Sequence, residues 1–145
     1  MTRPAFFVGL LALAACKSQE PAAHEHAHEL DLPPVTASLR VTLDGKPATL
    51  DLAAIARDAG ATSVTLAQLW RTAWPSEDAS HLRFDLVGSD GFRPTSRPKC
   101  TRLLVGDELA HLHLDVVTHD VSTDDGVSLP GCYRVKALVT IEAAR

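Results

Sequence analysis

Two histidines and an aspartate alternate in the stretch from residue 110 to residue 118, and all three side-chain types bind metal ions. Side chains of a β-strand alternate between its faces, so a strand here would place His111, His113 and Asp115 in a row. Such a His-x-His pair suits zinc, which normally needs a third or fourth ligand. Further ligands could come from His119, Asp120 or His81. The alternative is the ordinary polar face of an outer strand.

A second histidine pattern lies near the amino terminus, where His24, His26 and His28 alternate with other residues, mostly glutamate. Imidazole binds zinc, copper and nickel, and a flexible chain can fold several imidazoles onto one divalent ion. The alternative, which the composition favours, is a hydrated spacer whose histidines titrate at about pH 6.5.

Four basic residues cluster around Pro94 and Pro98. They are Arg93, Arg97, Lys99 and Arg102. This cluster could hold a small anionic ligand or a lipid headgroup, or it could be a loop of solvated charges. A formal net charge of -4 for the chain argues against a nucleic-acid partner, which would require a broad basic surface.

The first 16 residues have the three-part pattern of an export signal. Arg3 supplies a positive end, residues 5–13 form an apolar run too short to span a bilayer, and small residues lead to Cys16. Leu13-Ala14-Ala15-Cys16 resembles the lipobox of bacterial lipoproteins. The alternative is an ordinary secretory signal with an incidental cysteine.

The lipobox resemblance implies cleavage before Cys16, which would then carry two or three acyl chains, palmitate among them. Two chains are enough for stable membrane anchoring. Lys17 follows the cysteine where inner-membrane members of the family carry Asp, so the resemblance implies an outer-membrane protein that faces the periplasm. We therefore divide the chain into a signal peptide (1–15), a lipidated His/Glu/Pro-rich tether (16–34) and a globular domain (35–145).

Cys100 and Cys132 are the two cysteines that remain once Cys16 is acylated. An even pair in an exported protein is normally oxidised, so we predict a disulfide between them. In the chain-entropy model a loop of this length stabilises the fold by roughly 3 to 4 kcal/mol. Metal-binding or redox thiols are the weaker alternative, since the sequence contains no C-x-x-C motif.

Local patterns predict the elements of the domain. Alternating apolar residues around Asp44-Gly45 predict a β-hairpin over residues 36–52. Asp51 and Gly60 favour a short helix over residues 52–59, and a capping box of Thr65 and Gln68 predicts a second helix that ends before Pro75. Trp70 and Trp74 on that helix could line a pocket, but core packing is the commoner role.

Two further strands are predicted in the second half of the chain. Leu82, Phe84 and Leu86 alternate before a turn at residues 89–91, and alternation over residues 133–142 predicts a closing strand that is central or paired on both sides. We expect one α+β domain, with an antiparallel-rich sheet of about five or six strands and one or two short helices.

The strand followed by Gly-Ser-Asp-Gly-Phe (88–92), the later Leu-Pro-Gly (129–131) and the early Asp-Gly-Lys hairpin (44–46) together resemble a pared-down sulfite-oxidase-type molybdopterin-binding domain. The resemblance covers about residues 38–142 and implies that fold. This chain departs from the family because it lacks the molybdenum-ligating cysteine before the turn. Since a fold does not carry its function with it, molybdopterin is not expected as a cofactor.

The sequence therefore favours a membrane-anchored lipoprotein of the cell envelope with a non-enzymatic binding or structural domain. Its expected partners are the membrane, through Cys16, and an envelope protein or small ligand, but no nucleic acid. The alternative is an enzyme domain that depends on a divalent metal or resembles a molybdopterin-dependent oxidoreductase.

Overall fold

The first element is the hairpin that the alternating residues predict, in a computed structural model that describes residues 37–145. Asp44 and Gly45 both have positive φ, 49° and 86°, as a two-residue type I′ turn requires. The described part of the chain continues into two α-helices, α1 (Leu52–Ala59) and α2 (Leu66–Ala73). Its strands are β1 (Ser38–Leu43), β2 (Lys46–Asp51), β3 (Ser63–Thr65), β4 (Arg83–Gly88), β5 (Leu104–Val105), β6 (Leu112–Asp115), β7 (Val121–Thr123) and β8 (Leu138–Ala144).

Both predicted helices are confirmed, together with their capping residues. Asp51 accepts hydrogen bonds from the backbone N–H groups at the start of α1, at 3.0 and 3.1 Å, and Gly60 ends that helix with φ of 66°. Thr65 and Gln68 form the capping box of α2. Trp70 is buried and Trp74 half-buried, so the two rings form the core and rim of the helix packing.

The strands form two sheets. The larger has the order β2-β1-β8-β4-β5, in which only β1 and β8 pair in parallel. The smaller sheet, β3-β6-β7, is antiparallel. The predicted α+β class with a mostly antiparallel sheet is thus confirmed, while the short second sheet was not predicted.

The closing strand is shorter than its alternation predicts. Residues 133–142 were expected to form one strand, but β8 begins at Leu138. Ala137 has φ of 49° and breaks the alternation, so that Leu138 is buried where the pattern expected an outward side chain. The carbonyl of Val135 accepts from Val121, and that of Ala137 accepts from Ser89. This segment therefore bonds to both β7 and the turn after β4 instead of extending β8.

The core lies on one face of the larger sheet, under α2 and the smaller sheet. Its largest fully buried side chains include Trp70 and Phe84, whose rings meet edge to face with centroids 5.1 Å apart. The opposite face of the sheet carries polar side chains. Among them are Asp85 on β4 and Glu142 on β8, which are register partners.

Candidate functional site

The four basic residues that cluster in the sequence do not form one patch. Arg93 makes a bidentate ion pair with Glu142, at 2.6 and 2.9 Å, and contacts Asp85 at 3.2 Å. Thr95 donates a further hydrogen bond to Asp85 at 3.0 Å. The contact with Arg93 lowers the pKa of Glu142 and keeps that carboxylate ionised. Arg93 therefore fastens the segment after β4 to the polar face of the sheet.

Arg102 is also neutralised by a carboxylate. Its guanidinium pairs with both oxygens of Glu108, each at 2.9 Å, and lowers the pKa of that side chain. Glu108 in turn accepts a hydrogen bond from the backbone N–H of Val105 at 2.8 Å. This ion pair links the residues just before β5 to the 3₁₀ turn Gly106–His111, which follows β5.

The other two basic residues, Arg97 and Lys99, line a cleft together with Arg134 and Lys136, which come from the segment before β8. The cleft has a volume of about 580 Å³, within the usual range for small-molecule sites. Asp90 is the one carboxylate among its lining residues. We call this feature the basic cleft.

The four basic side chains of the cleft keep most of their donors available. The Arg97 guanidinium carbon lies 5.5 Å from the centre of the Phe92 ring and meets no carboxylate within the described residues. Arg134 uses only Nε, which donates to the Thr123 hydroxyl at 3.2 Å. The Lys136 ammonium lies 3.5 Å from Asp120, and its side chain is 82% exposed.

Lys99, like Arg97, makes no side-chain hydrogen bond or ion pair with residues 37–145. Like Arg97, it lies on the exposed 3₁₀ segment around Pro98. Both residues therefore place positive charge at the cleft without any internal neutralisation.

Backbone contacts and the cysteine pair hold the cleft walls together. The Asp90 carboxylate accepts from the Phe92 N–H at 3.0 Å in the Asx-type turn expected there. A Cβ on Gly88 would lie 3.0 Å from the Lys136 carbonyl oxygen, so a larger residue there would require the Lys136 backbone to shift. Cys100 and Cys132 lie at disulfide distance, with Cα atoms 6.4 Å apart, which fits the predicted pairing.

Asp115, the third predicted metal ligand of this strand, is engaged by backbone groups that follow it in the chain. Asp115 turns away into the next loop, where its carboxylate accepts from the backbone N–H groups of Val117 and Thr118, at 2.7 and 3.0 Å. Those hydrogen bonds lower its pKa. His111 ends a 3₁₀ turn, whereas His113 and Asp115 both belong to β6.

His111 and His113 converge on a different carboxylate, Asp124. Their ring nitrogens lie 3.2 and 2.5 Å from its two separate oxygens, and both contacts lower its pKa. Within residues 37–145, no group of three or more His, Cys, Asp or Glu side chains is arranged to hold a metal ion. These contacts fasten the loop after β7 to β6 and to the turn before it.

The additional ligand candidates are also engaged elsewhere or lie apart. Asp120 accepts from the backbone N–H of Ala137 at 3.0 Å. His119 is only 1% exposed and has φ of 65°, and its Nδ1 has no hydrogen-bond partner among the described residues. His81 is exposed in the 3₁₀ turn before β4.

The predicted lipid attachment at Cys16 and the histidines His24, His26 and His28 lie outside the described residues. In residues 37–145, no helix has the length and apolar content needed to cross a bilayer. Comparisons with protein-family models, with curated proteins and with solved structures found no match to this chain.

Proposed function

We propose that this protein is a bacterial lipoprotein, anchored through acylated Cys16 to the outer membrane and facing the periplasm, whose domain is a non-enzymatic module that binds an anionic ligand. The lipobox sequence supports the anchor. The basic cleft supports the binding function and is the observation on which that function depends. The histidine tether would serve as the spacer between the bilayer and the domain.

Charge distribution is the main argument for an anionic ligand. The chain carries 18 acidic against 14 basic residues, yet four basic side chains and one carboxylate line the cleft. A concave surface lined by charge of one sign concentrates ions of the opposite sign. Arginine and lysine donors without carboxylate partners are suited to carboxylate or phosphate groups.

The chemistry of the lining residues favours binding over catalysis. Cys132 is paired with Cys100, and the Asp90 carboxylate is engaged by the backbone of its own turn. No histidine contributes to the cleft lining. The cleft therefore offers positive charge and shape, but no paired acid and base for proton transfer.

The anchor is tested by expressing the full chain in a bacterium that is fed labelled palmitate. We expect label on the protein in the outer-membrane fraction, and a Cys16→Ala variant without label in the soluble fraction. An unlabelled wild-type protein in the cytosol would exclude the anchor without bearing on the cleft.

The cleft is tested by NMR on the detergent-solubilised protein, titrated with inorganic phosphate at constant ionic strength. We expect saturable shifts in the amides of Arg97, Lys99 and Arg134, and their loss in Lys99→Glu. Lys46→Glu, on the exposed hairpin, is the matched control and should leave the shifts intact. Equal shifts around Lys46 and Lys99 would mean that phosphate binds without a site.

A further inference from the structure

The walls of the basic cleft are not uniformly polar. Phe92, Pro98 and Cys132 contribute apolar surface, and Gly131 contributes no side chain. A single inorganic anion would leave most of a cleft of about 580 Å³ to water. The lining therefore matches a ligand with both an apolar part and a charged group.

The cation–π contact of Arg97 with Phe92 indicates what the apolar part is. The guanidinium carbon of Arg97 lies over the Phe92 ring, 5.5 Å from its centre, and residue Arg97 is exposed. A guanidinium plane can stack on aromatic rings from both sides. An aromatic ring of the ligand would contact the Arg97 guanidinium on the side that Phe92 does not cover.

The charged part has its own donors on the other chain segment that lines the cleft. Because Arg134 uses only Nε internally, its terminal nitrogens remain available for a planar anion. Lys136, held loosely by Asp120 at 3.5 Å, supplies a second positive charge on the same segment.

Building on the proposed anion-binding function, we propose that the ligand of the basic cleft is an organic anion with an apolar ring, typified by an aromatic carboxylate. Its ring stacks on Arg97 beside Phe92, and its carboxylate binds Arg134 and Lys136. Binding therefore requires both walls of the cleft, each for a different part of the ligand.

Calorimetric titration of the detergent-solubilised protein with 2-naphthoate and with acetate, at one ionic strength, tests the proposal. We expect naphthoate to bind about tenfold more tightly than acetate, as a cation–π contact of about 1.4 kcal/mol would give. Arg134→Ala should weaken both probes. Arg97→Ala should abolish the preference for naphthoate, whereas Arg57→Ala, on the exposed surface of α1, should change neither affinity.

The remaining outcomes separate this inference from the function on which it rests. Equal affinity for naphthoate and acetate, or a preference that survives in Arg97→Ala, would overturn the aromatic ligand and leave anion binding in place. Failure of naphthoate, acetate and phosphate alike would overturn both. Binding of an unacylated Cys16→Ala variant to anionic phospholipid vesicles that a further Lys99→Glu substitution abolishes, without binding of naphthoate, would assign the cleft to the membrane surface and overturn the inference. A melting curve of each variant establishes that it is folded.

Discussion

The polar face of the larger sheet and the basic cleft both take positive charges from the short stretch of residues 93–99, but they use them differently. On the sheet face, Arg93 is matched by Glu142 and Asp85. In the cleft, Arg97 and Lys99 meet no carboxylate within residues 37–145. The comparison shows that the neighbours supplied by distant strands, and not the local sequence, decide whether a basic residue serves structure or binding.

The two regions also differ in how they are fixed. Ion pairs hold the sheet face, whereas the cleft has walls from two distant segments joined near Cys100 and Cys132. Substitutions on the sheet face should therefore change stability alone. Substitutions in the cleft should change binding alone, except where they release its two walls.

The largest effect is expected from replacing both Cys100 and Cys132 by serine. Loss of the cross-link should lower the free energy of unfolding by roughly 3 kcal/mol and weaken phosphate binding, because the walls of the cleft are no longer held together. Urea unfolding and the phosphate titration measure the two effects. Wild-type protein under reducing conditions should behave like the variant, and unchanged stability in both would contradict the predicted pairing.

Arg93→Ala is the test of the sheet face. It leaves Asp85 and Glu142 side by side without their cation, and we expect a loss of about 1 kcal/mol, a discounted value because the Arg93 side chain is 41% exposed. Phosphate affinity should not change. Arg40→Ala, at an exposed position of β1, is the control for stability. A loss of phosphate affinity equal to that of Arg134→Ala would erase the distinction between the regions.

Acidification should weaken the sheet face. Because Arg93 lowers the pKa of Glu142 in the folded state, the ion pair contributes stability above the unfolded pKa of about 4.3 and loses it as the pH falls through the folded value. The effect should be below about 1 kcal/mol, since the side chain is 38% exposed. Glu142→Gln should flatten this part of the stability profile, measured by urea unfolding from pH 6 to pH 3. An identical profile in both proteins would exclude the ion pair as its source.

The smallest effect on stability is expected in the cleft itself. Lys99→Ala removes an exposed side chain without partners in the described region, so its free energy of unfolding should stay within about 0.5 kcal/mol of wild type. Its phosphate affinity should nevertheless fall, and fall less at high salt, where the charge is screened. Destabilisation as large as that of Arg93→Ala would show that Lys99 has a structural role.

Local signals predicted the hairpin and helices because each depends on residues close in sequence. Asp44 and Gly45 form the turn of the hairpin, and Asp51 and Thr65 cap their helices through residues two or three positions away. The end of the chain was predicted less well. Ala137 has positive φ in a segment that is hydrogen-bonded to two separate parts of the fold. An alternating sequence pattern carries no information about such long-range hydrogen bonds.

The site was predicted only in part for the same reason. The sequence identified Arg97 and Lys99 but interpreted Arg134 and Lys136 as the outward face of a strand. The sequence shows that Arg134 and Lys136 are two positions apart, but it does not show that their segment approaches Pro98, because that approach depends on long-range packing. Asp124 was likewise overlooked beside His111 and His113, because a turn-rich segment separates it from them in sequence.

The central place of β8 has a consequence for the order of events during synthesis. This strand comes last among the described strands yet lies between β1 and β4, the first of which is about 100 residues away. Until β8 emerges, both neighbours present unpaired backbone groups and the sheet cannot close. A polypeptide exported as proposed would thus remain unfolded, and able to pass through an export channel, until residues 138–144 arrive. A premature stop before Leu138 should give a fragment that aggregates.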